Sequence, residues 1–227
     1  MDLTDIIFPK NCLGCKKEGK YVCSDCLEKV DTPPSICPSC LRPAIDGMSH
    51  RECLSSRSAF NLTSLWEYGG VVRGALLALK YKFAYQIAQE ISEAIVKKLP
   101  LFPIGYLKNP VFIPIPAHPM RKNWRGFNQT EVVGKNIAKH FNWDYSDNYL
   151  QRLKISSPQT GLKEKERKRN IKGVFSINGK NLNVGNYDSI ILFDDVWTTG
   201  STLKEATRVL KAANGPDVWI LTISRRI

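Results

Sequence analysis

Two sets of residues in this chain have types and spacings that imply chemistry. The first lies in the run SIILFDDVWTTGSTL, from Ser189 to Leu203, where two adjacent carboxylates, Asp194 and Asp195, follow a short apolar segment. Ligands of open parallel sheets collect at the carboxyl ends of the strands, which is where these acids are expected to fall. The loop Thr198-Thr199-Gly200-Ser201-Thr202 then leads into a helix. It offers hydroxyls, unpaired backbone N–H groups and the positive end of the helix dipole to an anion. Gly200 removes the side chain where the backbone must approach closely. Carboxylates repel phosphate but accept hydrogen bonds from vicinal hydroxyls, so the two features together describe a site for a ribose 5-phosphate. The bland alternative has the Asp and Thr residues merely capping the helix.

The second set is cysteine. Cys12-x2-Cys15-x7-Cys23-x2-Cys26 is a pair of knuckles, and CxxC is favoured because its tight turn lets both thiolates reach one tetrahedral zinc. Cys37-x2-Cys40 and His50-x2-Cys53 follow, the last with an imidazole as its first ligand. The residues therefore offer one set of four thiolates and one of three thiolates with an imidazole, for one or two zinc ions. His50 lies in a polar stretch, so an ordinary exposed histidine is the competing reading, and spacing leaves a cross-braced pairing of knuckles open. Four protein ligands leave no open coordination position, so zinc held this way is structural.

The chain has 227 residues, with 43% hydrophobic and 24% charged side chains, which excludes disordered, collagenous and coiled-coil classes. Its formal net charge of +12 suggests a polyanionic partner, either nucleic acid or a phosphorylated metabolite. Residues 151 to 180 hold nine Lys or Arg against Glu164 and Glu166, more than half of the net excess. No apolar run approaches the roughly 18 residues of a spanning helix, and residues 1 to 12 carry acids where an export signal carries positive charge. A soluble protein of the reducing cytosol is expected, where cysteines serve metal rather than disulfides.

All seven cysteines fall in the first 53 residues. That segment is broken by Pro33, Pro34, Pro38 and Pro43 and needs a cross-link to build a core. Residues 1–57 read as a small metal-stapled module and residues 58–227 as an α/β domain. Within the latter, strands are predicted at Thr63 to Tyr68, Val111 to Ile115, Tyr149 to Leu153, Lys172 to Ile177, Ser189 to Phe193 and Val218 to Ser224. Helical spacing covers Val71 to Leu99 as two helices, Asn123 or Asn128 to His140, and Ser201 to Ala213. Strand and helix alternate, as in a mostly parallel sheet.

Four apolar residues followed by DDVWTTGST resemble the phosphoribosyltransferase fingerprint. Trp197 departs from it, being bulkier than the small or aliphatic residue expected there. PIPAHPMRKNWRGFNQ, from Pro114 to Gln129, and SPQTGL with RKRNIKGVF, from Ser157 to Phe175, resemble segments of the ComF family of competence proteins. An N-terminal zinc ribbon ahead of the transferase domain is also the ComF arrangement. The resemblance implies a type I phosphoribosyltransferase-like parallel sheet with a small N-terminal zinc-ribbon module. It implies that Asp194 and Asp195 hold the ribose hydroxyls of phosphoribosyl pyrophosphate (PRPP), and that Thr198, Thr199, Gly200, Ser201 and Thr202 hold its 5′-phosphate. Mg²⁺ is expected to accompany PRPP. Arg121 and Arg125 then fall where a diphosphate is gripped.

The basic stretch from Gln159 to Arg169 resembles the flap that closes over PRPP in transferases. Lys163, Lys165, Arg167 and Arg169 within it fit backbone contacts to single-stranded DNA, with Trp124, Phe127 and Trp197 as platforms for base stacking. The reading chosen is a ComF-like protein that binds PRPP and single-stranded DNA and supports DNA uptake in natural transformation. The alternative is an active phosphoribosyltransferase with an unidentified acceptor, for which no catalytic residue is assigned. A third reading makes the zinc module a dock for a DNA-uptake helicase or processing protein.

Overall fold

The computed structural model describes residues 9–79, 84–117, 128–153, 171–178 and 183–227. Five strands form one sheet: β1 (Asn61–Glu67), β2 (Pro110–Pro114), β3 (Asp144–Tyr145), β6 (Ser189–Trp197) and β7 (Asp217–Arg225), in the order β1-β7-β6-β2-β3. Every pairing in it is parallel. A separate antiparallel ladder joins β4 (Leu150–Arg152) to β5 (Phe175–Ile177). The predicted strands are present with shifted ends, and β3 is an addition that two residues are too short to announce by periodicity.

Side chains of the central strands alternate between two buried layers. Ile191 and Phe193 of β6 join Phe112 of β2 and Leu221 of β7 on one face, whereas Ile190 and Leu192 join Val111, Ile113 and Ile220 on the other. Strands buried on both faces read as continuous apolar runs. Fully burying each such side chain contributes ~1.5–3 kcal/mol. Helices α1 (Gly70–Ala78), α2 (Ala84–Lys98) and α3 (Gln129–Phe141) cover the first face through Val72, Ile91 and Ile137. Helix α4 (Ser201–Ala212) covers the second through Leu203, Ala206 and Leu210. The predicted helical stretch from Val71 is thus two helices. Helix α3 begins after Asn128, whose Oδ1 accepts from the Thr130 N–H, which resolves the choice between Asn123 and Asn128.

Strand β6 outruns its apolar segment by four residues, to Trp197. The reason is its neighbour: β7 continues alongside, pairing Asp194 with Thr222, Val196 with Ser224 and Trp197 with Arg225. On the other side β2 stops at Pro114, opposite Phe193. The polar turn predicted directly after Phe193 is therefore shorter, beginning only after Trp197.

The cysteine-rich segment wraps this sheet. Cys12 and Val22 belong to the same buried layer as Leu65, Val72 and Ile87. The Asp31 carbonyl accepts from the Glu67 N–H (2.8 Å), and the Pro34 carbonyl accepts from the Arg225 guanidinium (2.6 Å). Residues 31–34 thereby cross the carboxyl ends of β1 and β7 and deliver Ile36 to the opposite layer, the one that contains Leu203, Ala206 and Leu210 of α4. An antiparallel bridge between Met48 and Asn61 then covers the edge strand β1.

Candidate functional site

The chain passes outward from β2 to β3 and, in the opposite direction, from β6 to β7, and the helices after β2 and β6 lie on opposite faces. The carboxyl ends of β2 and β6 therefore flank a topological switch point, the crevice in which open α/β sheets bind ligands. Asp194 and Asp195 stand at that point, just past the end of β2, and both are partly exposed. The Asp195 N–H donates to Asp194 Oδ1 (2.9 Å). Desolvation, reinforced by the charge of Asp195, pushes the Asp194 carboxyl well above the usual carboxylate range. The guanidinium of Arg152 opposes this shift.

The loop that follows is held by backbone geometry. Gly200 has φ +70°, in the left-handed region, and precedes α4. Its carbonyl accepts from the Lys204 N–H (2.8 Å). Thr199 Oγ1 and Ser201 Oγ share a hydrogen bond of 2.8 Å, and the Ser201 N–H points to Thr199 Oγ1 at 3.5 Å. Thr198 is exposed, and Thr199, Ser201 and Thr202 are partly exposed. The structure thus brings Asp194, Asp195 and the residues from Thr198 to Thr202 to one end of one strand and the start of one helix.

Arg121 and Arg125 lie outside the described residues, as do Trp124, Phe127 and all four cations of the basic segment, Lys163, Lys165, Arg167 and Arg169. The described residues beside those two segments contact β6 and α4. Asn128 is buried, its Nδ2 donating to the Ile115 carbonyl (3.1 Å), and the Ile115 N–H donates to the Phe193 carbonyl (2.8 Å). Ile115 and Asn128, the described residues on either side of the segment that holds Arg121 and Arg125, therefore lie together beside β6. The basic segment springs from the β4–β5 ladder, where Arg152 places its guanidinium 5.6 Å from the Phe175 ring centre. At its far end Gly173, with φ +77°, donates its N–H to Glu205 Oε1 of α4 (2.8 Å).

One expectation is corrected. Trp197 is 2% exposed, packed beneath Gly200 in the layer of Leu203 and Ala206, and is no platform for base stacking. The bulky residue at this fingerprint position serves the interior. Arg152 went unnoticed in the sequence because a lone arginine in a short strand carries no pattern; only its folded position beside Asp194 marks it.

Both ligand sets assemble as the spacing allows, without cross-bracing. Within each, the ligand atoms lie within 4.8 Å of one another. Thiolates at tetrahedral angles about one zinc are about 3.8 Å apart for bonds near 2.3 Å. Cys12 and Cys23 stand at 3.5 Å, and Cys15 and Cys23 at 3.8 Å. Burial pushes the Cys12 thiol up, but backbone N–H groups of Cys23, Cys15 and Gly14 outweigh it and bring it down to about 6. In the second set His50 Nδ1 is 3.3 Å from Cys40 Sγ, while its Nε2 donates to the Pro43 carbonyl (3.0 Å). That outer hydrogen bond selects the tautomer with Nδ1 free to ligate. Arg42 Nε donates to Cys40 Sγ (3.4 Å), and this hydrogen bond, with that of the Arg42 backbone N–H, brings the thiol down to about 6 as well. The donor sets fit two structural zinc ions. Among the described residues no helix is long and apolar enough to cross a membrane.

Sequence comparison with known proteins agrees with this anatomy. Residues 3–54 match the family model "Double zinc ribbon domain". Competence protein F of Haemophilus influenzae is 27% identical over 226 residues, covering 94% of this chain and 90% of that one. The DNA utilization protein YhgH of Escherichia coli is 26% identical over 215 residues, covering 88% and 89%. Among solved structures, a hypoxanthine phosphoribosyltransferase of Staphylococcus aureus aligns with a TM-score of 0.35 and 16% identity over 62% of this chain and 72% of that one. The chain is thus a relative of the ComF competence proteins, with a double zinc ribbon wrapped on a mostly parallel α/β sheet.

Proposed function

We propose that this protein binds PRPP at the carboxyl ends of β2 and β6 and binds single-stranded DNA through its basic segment, acting in DNA uptake during natural transformation. The observation that carries the first part is the juxtaposition of Asp194 and Asp195 with the loop from Thr198 to Thr202 at the switch point. Carboxylates accept from the ribose 2′ and 3′ hydroxyls, and the hydroxyls and N–H groups at the start of α4 donate to the 5′-phosphate. Arg121 and Arg125 supply the cations for the diphosphate. Mg²⁺, when bound, neutralises the diphosphate and organises its oxygens.

The uptake role is supported by the names of the relatives, a competence protein and a DNA utilization protein. Single-stranded DNA is favoured by the charge excess of residues 151 to 180, which springs from the ladder beside the same site. The test is calorimetric titration with PRPP, with and without Mg²⁺, followed by titration of single-stranded DNA into the same sample. Saturable binding of both is expected. Absence of PRPP binding under either condition refutes the ligand assignment, and absence of DNA binding refutes the partner.

A further inference from the structure

We infer that the second zinc cluster positions the phosphate loop, with Lys204 as the strut between them. This rests on reading residues 198–202 as an anion site. Lys204 stands at the start of α4, where its backbone N–H closes on the Gly200 carbonyl (2.8 Å). Its ammonium donates to the carbonyl of Ser39 (3.0 Å), and Ser39 lies between the ligands Cys37 and Cys40. The same ammonium lies 5.9 Å from the centre of the Trp197 ring, within the range of a cation–π contact. That ring in turn underlies Gly200, so that a Cβ there would overlap its atoms. One residue therefore joins the knuckle, through its side chain, to the floor of the loop and, through its backbone, to Gly200 within it. Ile36, immediately before the knuckle, packs into the layer that contains Trp197 and Leu203.

The first cluster has a different connection. Cys12 and Val22 pack in the opposite layer with α1 and α2, and Val22 N–H donates to Glu90 Oε2 of α2 (2.8 Å). Loss of metal at the second cluster frees the Cys37–Cys40 turn, withdraws the Ser39 carbonyl from Lys204 and loosens the loop. Loss at the first leaves this strut in place. Coupling between two binding sites is reciprocal, so the ligand at the loop must also retain zinc at the second cluster. Lys204 is a positioning residue in this scheme.

The zinc-loaded full chain is compared with Lys204→Met, which keeps all eight ligands, with Cys53→Ser, and with Ser39→Ala as a control that preserves the carbonyl. Three quantities are read: PRPP affinity, amide exchange of residues 198–203, and the rate of zinc release to a chromogenic chelator with and without PRPP. Lys204→Met is expected to weaken PRPP about tenfold, as loss of a charged hydrogen bond does, and to speed exchange in the loop at unchanged zinc content. PRPP should slow release of one of two zinc ions in the parent and in Ser39→Ala, and slow neither in Lys204→Met. Cys53→Ser should match Lys204→Met in loop exchange. Unchanged loop exchange and PRPP-independent zinc release in a parent that binds PRPP overturn the coupling. A parent that fails to bind PRPP, yet whose loop exchange responds to Lys204→Met, upholds the strut and removes the PRPP assignment instead.

Discussion

Gly200 rests directly on the indole of Trp197, so closely that a Cβ at this position would overlap the ring, and its backbone is left-handed at φ +70°. The two residues are one device. The glycine lets the chain turn sharply into α4, and the tryptophan forms a rigid floor beneath that turn. An L-residue in this conformation costs ~1–2 kcal/mol before any displacement of the ring. Gly200→Ala should therefore lower the melting temperature by roughly 2–8 °C and abolish PRPP binding, since the loop has to lift from its floor. Scanning calorimetry and ligand titration on the same preparation test this. Parent-like PRPP affinity would show that the loop conformation is unimportant for the ligand.

Asp194 should trade stability for binding. Its carboxyl is raised by desolvation and by Asp195, so the folded state holds a proton that the unfolded chain releases at lower pH. Such a group contributes stability that is fully present below the ordinary aspartate range and is lost as pH rises through the raised value. Asp194→Asn does not titrate, and at pH 7 it should melt a few degrees above the parent, the gap closing near pH 4. PRPP affinity should fall about 10- to 100-fold in the same variant. In the parent, affinity should increase with pH across the raised titration, because the ribose hydroxyls need the carboxylate as acceptor. A variant less stable than the parent at pH 7 would contradict the assignment.

Metal analysis of protein purified without chelator should give two zinc ions per chain, and His50→Ala should bring this to about one. Because Cys12 shares a buried layer with Leu65 and Val72, Cys12→Ser should also lower the melting temperature of the sheet, beyond unfolding its own knuckle. An unaltered main transition in the calorimeter would mean that the ribbon and the sheet are energetically separate.

Charge reversal of Lys163, Lys165, Arg167 and Arg169 to Glu should weaken single-stranded DNA binding and flatten its salt slope, by ~0.7 per lost phosphate contact. PRPP affinity should fall much less, since the Thr198–Thr202 loop is untouched. A parent-like slope would move DNA to the first ribbon, where Lys16, Lys17 and Lys20 are exposed.

Local chemistry was legible without a fold. The spacing of CxxC pairs reports a turn that needs no tertiary partner, and the apolar run ending in Asp194 and Asp195 reports a buried strand meeting solvent. The cysteines are found in two clusters, one of the arrangements their spacing allows, and the two acids lie on β6 beyond its apolar run. Three matters were decided only by tertiary structure. The side on which β6 continues past Phe193 depends on which neighbour strand is longer, a property of pairing between segments far apart in sequence. Whether His50 ligates depends on the Pro43 carbonyl that takes its other ring nitrogen. Trp197, read as a platform for base stacking, is interior because β6 pairs with β7 to its last residue and the side chain packs under Gly200. Composition and periodicity record what a residue prefers, whereas these three outcomes depend on contacts made across the whole chain.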